Sequence, residues 1–322
     1  YRALCASEAV AQAMILSTCN RVELYAAGES QKTLELALRD FLKRTHAHAG
    51  IDYQGHLYRM SGYQAAMHLF HVAAGLDSMI PGENQILGQI KRAYDLAVRF
   101  GAVGPHFHQL MQDALRIGKR VRSETQITRG VTSMAGAVLE MIKKVPDLKG
   151  KRVLVIGAGK IGAMTVEKLA KTDVREVVVV NRGKAKTECL EQLDKVRVKN
   201  YEDLTKALGR ADIVVAATAS TKYVISHAQV QKIMHDARQE MHFFDLGVPR
   251  NIEESVGQMA GVQLYNVDHM GSFIDDVIRS RSTEIKKAQA IIRKSAVHLS
   301  RRSVIWKNYR DRRLLYKEKE AE

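Results

Sequence analysis

The sequence predicts an α/β fold in which a helix-rich mixed α/β unit precedes a doubly wound parallel sheet. Between residues 151 and 265, short apolar segments alternate with helical patterns, and a glycine-rich loop follows the first of those segments. The 322 residues are enough for two or three compact domains. No apolar stretch is long enough to span a bilayer, so we expect no membrane association and a cytoplasmic protein.

The first unit is predicted to begin with two strands that flank a polar turn. An apolar run at residues 13–16 stops at Ser17, and alternation resumes at residues 22–26. Helical patterns follow at residues 32–43, 64–73, 86–100 and 105–122. We therefore place one domain at residues 1–130, with Cys19 in the connection between its first two strands.

The second unit is predicted to be a nucleotide-binding sheet. A helix at residues 134–144 leads into it. Six strand candidates follow, mostly separated by helical segments, at residues 153–156, 177–180, 196–198, 213–217, 243–244 and 262–265. This alternation is typical of a doubly wound Rossmann sheet, which we place at residues 131–266.

A G-x-G-x-x-G loop opens the second unit. Its members are Gly157, Ala158, Gly159, Lys160, Ile161 and Gly162. The loop follows a strand and begins a helix, which is the context in which such glycines bind the pyrophosphate of a dinucleotide. The alternative is a glycine-rich turn that binds no ligand. We predict the dinucleotide site.

The end of the next strand indicates which dinucleotide is bound. NAD sites usually carry an acidic residue there, whereas this chain has Asn181 and Arg182. An arginine favours the 2′-phosphate of NADPH through a charge-assisted hydrogen bond. The alternative is that Arg182 is a solvated loop cation.

Cys19 is the candidate nucleophile. Cys5, Cys19 and Cys189 have neither metal-site nor disulfide spacing, which predicts no metal and a reducing compartment. Cys19 has Arg21 two residues away, and this cation favours the thiolate. A thiol nucleophile and a hydride carrier on one chain indicate capture of an acyl group as a thioester and its reduction to an aldehyde. The alternative is that Cys19 is a small apolar residue without chemistry.

Two features downstream have both a structural and a functional interpretation. His68 lies in a mostly apolar helical stretch, where a histidine is either a core residue or an acid or base near neutral pH. The polar, glycine-rich segment 75–87 is either a helix-capping connection or a pocket for a small zwitterion.

The C-terminal region is predicted to be one long helix. Apolar residues recur at seven-residue intervals, at Ile278, Ile285, Ile292, Leu299 and Trp306. The companion series is mixed, at Ile274, Arg281, Ala288, Ser295 and Arg302. Such a helix needs a partner surface, which is either another domain of its own chain or a second copy.

The chain is strongly basic. Its 50 Lys and Arg residues against 35 Asp and Glu residues give a formal net charge of +15. Such a surface attracts polyanions, including nucleic acids, although no RNA-binding motif with interleaved aromatic residues accompanies it. The net charge alone does not distinguish a surface that binds RNA from one that is basic without such a role.

Seven segments resemble those of glutamyl-tRNA reductase in order and spacing. They are STCNR at 17–21, HLFHVAAGLDS at 68–78, GENQILGQ at 82–89, GKRVRSET at 118–125, GAGKIG at 157–162, NR at 181–182 and VPR at 248–250. The resemblance implies NADPH-dependent reduction of glutamyl-tRNA(Glu) to glutamate-1-semialdehyde, the first step of tetrapyrrole biosynthesis by the C5 pathway. It also implies a long spinal helix within residues 267–322 that leads into a truncated helical dimerisation domain.

The resemblance further implies roles for individual residues and partners. Cys19 would be the nucleophile and His68 a proton donor or base. The glutamyl group would be held by Thr18, Asn20, Arg21, Ser78, Glu83, Asn84, Gln85 and Gln89. Arg21 would pair with its carboxylate, and Glu83 would accept hydrogen bonds from its ammonium. The partners would be charged tRNA(Glu), a second copy bound through the C-terminal helices, and, transiently, glutamate-1-semialdehyde aminomutase.

Two other functions are compatible with parts of the sequence. A shikimate dehydrogenase-like NADPH oxidoreductase has a similar nucleotide domain but needs no cysteine nucleophile. A non-catalytic redox sensor or tRNA-binding module would use NADPH only as a ligand. Replacement of Cys19 distinguishes the first alternative, and binding without turnover distinguishes the second.

Overall fold

The computed structural model describes residues 1–18, 21–46, 54–183, 187–234, 240–302 and 313–318. The helices are α1 (Arg2–Cys5), α2 (Gln31–His46), α3 (Gly62–Ala73), α4 (Ile86–Arg99), α5 (Pro105–Glu124), α6 (Met134–Ile142), α7 (Lys160–Leu169), α8 (Leu204–Leu208), α9 (His227–Ile233), α10 (His269–Ser280) and α11 (Ser282–Arg302). The strands are β1 (Gln12–Ser17), β2 (Val22–Ala27), β3 (Leu57–Ser61), β4 (Arg152–Ile156), β5 (Glu176–Val180), β6 (Val196–Lys199), β7 (Ile213–Ala216), β8 (Met241–Asp245), β9 (Val262–Asn266) and β10 (Arg313–Glu318).

The chain divides into two compact units. Unit 1 comprises Tyr1–Thr132 and Ser280–Glu322, and unit 2 comprises Ser133–Arg279. No helix within the described residues is long and apolar enough to cross a membrane.

Unit 1 contains an antiparallel sheet in the order β1-β2-β10-β3. The predicted hairpin is present, because β1 and β2 pair up to Ser17 and Val22, which leaves residues 18–21 as their connection. Strand β10 differs from the expectation that residues 267–322 would be helical. Its run of Leu314, Leu315 and Tyr316 between charged residues suits a strand, and it pairs with both β2 and β3. The predicted helical dimerisation domain is not seen in the described residues.

Helices α3, α5 and α11 enclose the main core of unit 1. Phe70 on α3 and Phe107 and Met111 on α5 are fully buried there. Ala288 and Ile292 of α11 lie in the same cluster. The partner surface required by the apolar stripe of α11 is therefore provided by unit 1 of the same chain.

The predicted single C-terminal helix is two helices, α10 and α11, with Arg281 between them. The Arg281 side chain is buried, donates from Nη1 to the Pro81 carbonyl oxygen at 2.5 Å, and donates from Nη2 to that of Arg129. An arginine that satisfies two loop carbonyls is fixed by tertiary contacts, which a heptad pattern does not reveal.

Unit 2 confirms the predicted Rossmann sheet. All six strands are parallel, in the order β6-β5-β4-β7-β8-β9. The central strands are runs of Val, Ile and Leu because helices cover both faces of such a sheet. The order reverses between β4 and β7, and the carboxyl ends of strands on either side of this reversal form the usual ligand crevice.

Candidate functional site

The glycine loop of unit 2 has the geometry of a dinucleotide-binding turn. Gly157 has φ +97°, and a Cβ there would lie 2.5 Å from the Ala217 carbonyl oxygen. A Cβ at Gly162 would lie 2.0 Å from the Gly157 carbonyl oxygen. These two glycines are therefore required by the turn and by close helix–strand packing.

Gly159 is different because the protein itself leaves room for a side chain there. The nearest atom to a Cβ at Gly159 is the Ala217 carbonyl oxygen, at 3.9 Å. Gly159 is also the N-cap residue of α7, where backbone N–H groups point toward an approaching anion. The glycine loop and the N-terminus of α7 thus leave space for a pyrophosphate, a space that we call the cradle. Lys160 and Ile161 are the first two residues of α7.

Asn181 and Arg182 have separate roles at the end of β5. Asn181 braces the glycine loop, since its Oδ1 accepts from the Ala158 N–H at 3.1 Å and its Nδ2 donates to the Gly183 carbonyl oxygen at 2.7 Å. The exposed Arg182 guanidinium lies over the Tyr201 ring, 5.1 Å from its centroid. Arg182 therefore presents an exposed positive charge at the end of β5, whereas Asn181 has a structural role in the glycine loop.

Two residues that the sequence analysis did not single out fix the loop after β8. Buried Asp245 accepts hydrogen bonds from the backbone N–H groups of Gly247, Asn251 and Ile252 at 2.8–2.9 Å. Asn251 in turn accepts from the Thr218 N–H at 2.9 Å. The VPR segment at 248–250 was the signal that pointed to this loop.

Unit 1 contains a buried cluster of charged side chains beside the β1–β2 connection. Arg21 Nη1 donates to Glu23 Oε1 at 3.2 Å and to Asp77 Oδ2 at 2.7 Å. His68 Nε2 lies 2.9 Å from Glu23 Oε1, and its Nδ1 lies 3.6 Å from Asp77 Oδ2. The Tyr25 hydroxyl donates to Glu23 Oε2. The structure thus brings the predicted residues Arg21 and His68 together.

Glu23, Tyr25 and Asp77 were not predicted as site residues. Glu23 has no exposed surface, and Arg21 and His68 are 5% and 8% exposed. Burial alone raises the pKa of Glu23, but the hydrogen bond and charge of His68, then Tyr25 and Arg21, lower it below its ordinary value. Glu23 is therefore an ionised, fully paired carboxylate.

The three residues Glu23, His68 and Asp77 have ligand atoms within 4.8 Å of one another, as in a metal site. The Arg21 guanidinium already bridges both carboxylates. A divalent cation would be repelled by this guanidinium, so the arrangement favours an ion-pair network over a metal centre.

The loop that carries Asp77 and Ser78 is closed by two glycines. The Gly82 N–H donates to the Gly75 carbonyl oxygen at 2.8 Å, and the two residues have φ +90° and +72°. A Cβ at Gly82 would lie 1.9 Å from the Ile127 carbonyl oxygen. The turn therefore requires glycine at this point and fixes where Asp77 meets the cluster.

The other predicted glutamyl-binding residues differ in how the structure holds them. Thr18 Oγ1 accepts from the Arg21 N–H at 3.1 Å. Asn84 is exposed, and its Nδ2 lies 3.5 Å from Thr132 Oγ1. Gln89 is buried, and its Oε1 has no hydrogen-bond partner among the described residues. Glu83 and Gln85 are half-buried at the start of α4.

Cys19 and Asn20, predicted as nucleophile and glutamyl ligand, lie outside the described residues. Their neighbours Thr18 and Arg21 are joined by the Thr18 N–H, which donates to the Arg21 carbonyl oxygen at 2.9 Å.

The fold and these two sites define a nucleotide-binding protein of the dehydrogenase class. Residues 140–273 match the family model "Shikimate / quinate 5-dehydrogenase", which is typical of a pyridine-nucleotide domain. Residues 1–125 match the family model "Glutamyl-tRNAGlu reductase, N-terminal domain". The chain belongs to the glutamyl-tRNA reductase family.

Two curated relatives support this membership. The glutamyl-tRNA reductase of Syntrophotalea carbinolica is 37% identical over 298 residues, which cover 92% of this chain and 67% of that protein. That of Geobacter sulfurreducens is 36% identical over 90% of this chain and 68% of its own length. The solved reductase from Methanopyrus kandleri is 31% identical over 93% of this chain and 73% of its own, with a TM-score of 0.48. The chain spans about two thirds of the length of the curated relatives it matches.

Proposed function

We propose that the protein reduces the glutamyl group of glutamyl-tRNA(Glu) to glutamate-1-semialdehyde, with NADPH as the reductant and a thioester on Cys19 as the intermediate. The observation that carries the proposal is the buried Arg21–Glu23–His68 cluster, which lies at the end of the connection containing Cys19. This reaction is the first step of tetrapyrrole biosynthesis by the C5 pathway.

Cys19 is the proposed nucleophile. Its thiolate attacks the ester carbonyl, the carbon–oxygen bond to the terminal ribose breaks, and the departing alkoxide takes a proton. The products of this step are free tRNA and a glutamyl thioester on the enzyme.

His68 is the proposed proton carrier, and Glu23 is its positioning residue. A carboxylate only accepts hydrogen bonds, so Glu23 holds the Nε2–H of His68 and leaves Nδ1 as the exchanging nitrogen. In the reductive step the carbonyl oxygen of the thioester needs a proton as it becomes a hydroxyl. Collapse of the resulting thiohemiacetal returns the thiolate and releases the aldehyde.

The nucleotide is proposed to bind on unit 2. A bound reduced nicotinamide supplies the hydride for the thioester carbon. The residues proposed to hold the cofactor are Gly157, Ala158, Gly159, Lys160, Ile161, Gly162, Asn181 and Arg182. The open cradle at Gly159 supports pyrophosphate binding, and the exposed guanidinium of Arg182 supports NADPH over NADH.

The glutamyl group is proposed to be held by Thr18, Asn20, Arg21, Ser78, Glu83, Asn84, Gln85 and Gln89. Among the described residues, the Arg21 guanidinium contacts Glu23 and Asp77 through Nη1. Its Nη2 is therefore proposed to bind the substrate carboxylate. Buried Gln89 Oε1, which has no hydrogen-bond partner among the described residues, is an acceptor suited to an ammonium group.

The family membership also supports proposals about assembly. These are a homodimer formed through C-terminal helices, a transient complex with glutamate-1-semialdehyde aminomutase, and a cytoplasmic location. Equilibrium sedimentation tests the dimer, and co-sedimentation with the aminomutase tests the complex.

The experiment that tests the proposed activity is turnover with defined substrates. The protein is incubated with NADPH and tRNA(Glu) charged with glutamate, and the aldehyde and NADPH oxidation are both measured. We expect one aldehyde per NADPH, and no reaction with uncharged tRNA(Glu) or with tRNA(Gln) charged with glutamine. A protein that forms no aldehyde from glutamyl-tRNA but oxidises shikimate when NADP⁺ is supplied would assign the match of residues 140–273 to a dehydrogenase activity and refute the proposal.

A further inference from the structure

Positive charge is concentrated in a groove between α4 and α5 of unit 1, outside the charged cluster described above. The groove has a volume of about 610 Å³. Among the described residues that line it, the cations are Lys91, Arg116, Lys119 and Arg122, and the acid is Asp95. We name this feature the α4–α5 groove.

The cations of the α4–α5 groove are available to an anionic ligand. Lys91 and Lys119 are exposed, and neither has an ion-pair partner in the part of the chain that the structure describes. Arg116 pairs with buried Asp113 at 3.0 Å, yet its side chain is 68% exposed. The positive charge of the groove is therefore only partly neutralised by Asp95 and Asp113, and the two lysines are left for an anionic ligand.

The α4–α5 groove is continuous with the segment proposed to hold the glutamyl group. Arg122 Nη2 donates to the Glu83 carbonyl oxygen at 3.0 Å, and Arg122 Nε is buried without a partner among the described residues. Gly88, which also lines the groove, lies on α4 between Gln85 and Gln89. A Cβ at Gly88 would meet nothing within 4 Å, so the wall of the groove is open there.

We propose that the α4–α5 groove binds backbone phosphates of the substrate RNA next to its aminoacylated end. This inference rests on the proposed function. The glutamyl ester is at the 3′ terminus of an RNA that has one phosphate per nucleotide, so the phosphates nearest the ester lie close to the glutamyl site. Lysine and arginine side chains bind such phosphates and release condensed counterions.

The first test compares two substrates that carry the same ester. One is glutamyl-tRNA(Glu), and the other is 2′(3′)-O-glutamyl-adenosine, which has no phosphate. The variant is Lys91→Ala/Lys119→Ala. Its matched control, Lys32→Ala/Lys43→Ala, removes two exposed cations of α2, which lie in unit 1 but do not line the groove.

For Lys91→Ala/Lys119→Ala we expect the KM for glutamyl-tRNA to rise at least about tenfold. The slope of log KM against log salt concentration should fall by about 1.4 to 1.8, since each phosphate contact contributes about 0.7 to 0.9. The rate with glutamyl-adenosine should stay within about twofold of wild type, which also shows that the variant folds. Lys32→Ala/Lys43→Ala should change the KM for glutamyl-tRNA and the salt slope by less than Lys91→Ala/Lys119→Ala does.

A second test adds a negative charge to the wall of the groove and compares it with a neutral side chain of the same shape. Gly88→Asp and Gly88→Asn have nearly the same size, and the space around Gly88 accommodates both. We expect the KM for glutamyl-tRNA to be at least about fivefold higher for Gly88→Asp than for Gly88→Asn at low salt, with the difference lost at high salt.

The outcomes separate this inference from the proposed function. Two results would overturn the groove inference alone, provided that the wild-type protein turns over glutamyl-tRNA. One is an unchanged KM and salt slope in Lys91→Ala/Lys119→Ala, and the other is an equal KM for the two Gly88 variants. A wild-type protein that converts neither glutamyl-tRNA nor glutamyl-adenosine would refute the proposed function and this inference together.

Discussion

His68 Nε2 lies 2.9 Å from Glu23 Oε1, with both side chains buried. Because an ionised carboxylate has no proton to donate, the imidazole donates from Nε2 and its neutral form carries the lone pair on Nδ1. Tyr25 and Arg21 donate to the same carboxylate. Glu23 thereby determines which nitrogen of His68 carries the proton, and Nδ1, which lies 3.6 Å from Asp77 Oδ2, is the nitrogen proposed to exchange a proton with substrate.

Replacement of Glu23 tests this relationship. Glu23→Gln keeps the shape but offers an amide that is able to donate to Nε2 and favour the opposite tautomer. We expect kcat for glutamyl-tRNA reduction to fall at least about tenfold with KM changed less than about threefold, since tautomer errors in comparable carboxylate–histidine pairs are costly. The measurement is steady-state kinetics across pH 6 to 9.

Tyr25→Phe is the matched control for Glu23→Gln, because it removes one donor to Glu23 and leaves the His68 contact in place. We expect its kcat to stay within about threefold of wild type. A Glu23→Gln protein that melts cooperatively and retains wild-type kcat and pH profile would contradict the positioning role.

The same carboxylate makes stability depend on pH. The pKa of Glu23 is raised by burial, but His68, Tyr25 and Arg21 together hold it below the ordinary value of 4.5. A lowered folded-state pKa contributes stability above pH 4.5 that is lost as pH falls through the folded value. We expect the difference in unfolding free energy between wild type and Glu23→Gln to shrink below pH 4.5. Urea titrations between pH 3 and 7 measure it, and a pH-independent difference would be the contrary result.

The three glycines of the loop at 157–162 should respond differently to alanine. Gly159→Ala should fold with near wild-type stability because a Cβ meets only Ala217 O at 3.9 Å, but it should weaken nucleotide binding by narrowing the cradle. Gly157→Ala and Gly162→Ala should destabilise unit 2, since their Cβ atoms would lie 2.5 and 2.0 Å from carbonyl oxygens. Thermal melting and titration with NADPH distinguish the cases. Equal losses of stability in all three would refute the assignment of Gly159 to the ligand.

Arg182 should determine the choice of nucleotide. Arg182→Ala is expected to raise the Kd for NADPH roughly ten- to hundredfold, as a charge-assisted hydrogen bond of about 1.5–3 kcal/mol is lost. The Kd for NADH should change less than about twofold. Arg175→Ala, which removes another exposed cation of unit 2, is the control. Fluorescence titration gives both constants, and parallel changes for the two nucleotides would show that Arg182 does not read the 2′-phosphate.

The fold of unit 2 was predictable because its signals are local. Each strand is a short apolar run, and most of the strands are followed by a helical pattern in the sequence that comes next. The glycine loop lies in the first connection from a strand to a helix, where a dinucleotide-binding fold requires it. The observed strands differ from the predicted ranges by no more than two residues at either end. Right-handed crossover connections then leave few alternatives for the order of the sheet.

The charged cluster was less predictable because its contacts are long-range. Glu23 alternates with apolar neighbours on β2 and therefore resembles a solvent-facing position, whereas it is fully buried. Its partner His68 comes from α3, and Asp77 comes from a loop closed by Gly75 and Gly82. No spacing rule joins these elements. Arg281 likewise interrupts the C-terminal helix through bonds to distant loop carbonyls that no heptad pattern encodes.

The most direct test of the central claim is to trap the acyl-enzyme. The protein is mixed with tRNA(Glu) carrying radiolabelled glutamate, without NADPH, and quenched in acid. We expect label on wild-type protein, none on Cys19→Ser, and release of the label as aldehyde when NADPH is added before the quench. Folded wild-type protein that acquires no label, or Cys19→Ser protein that acquires it equally, would contradict the thioester mechanism.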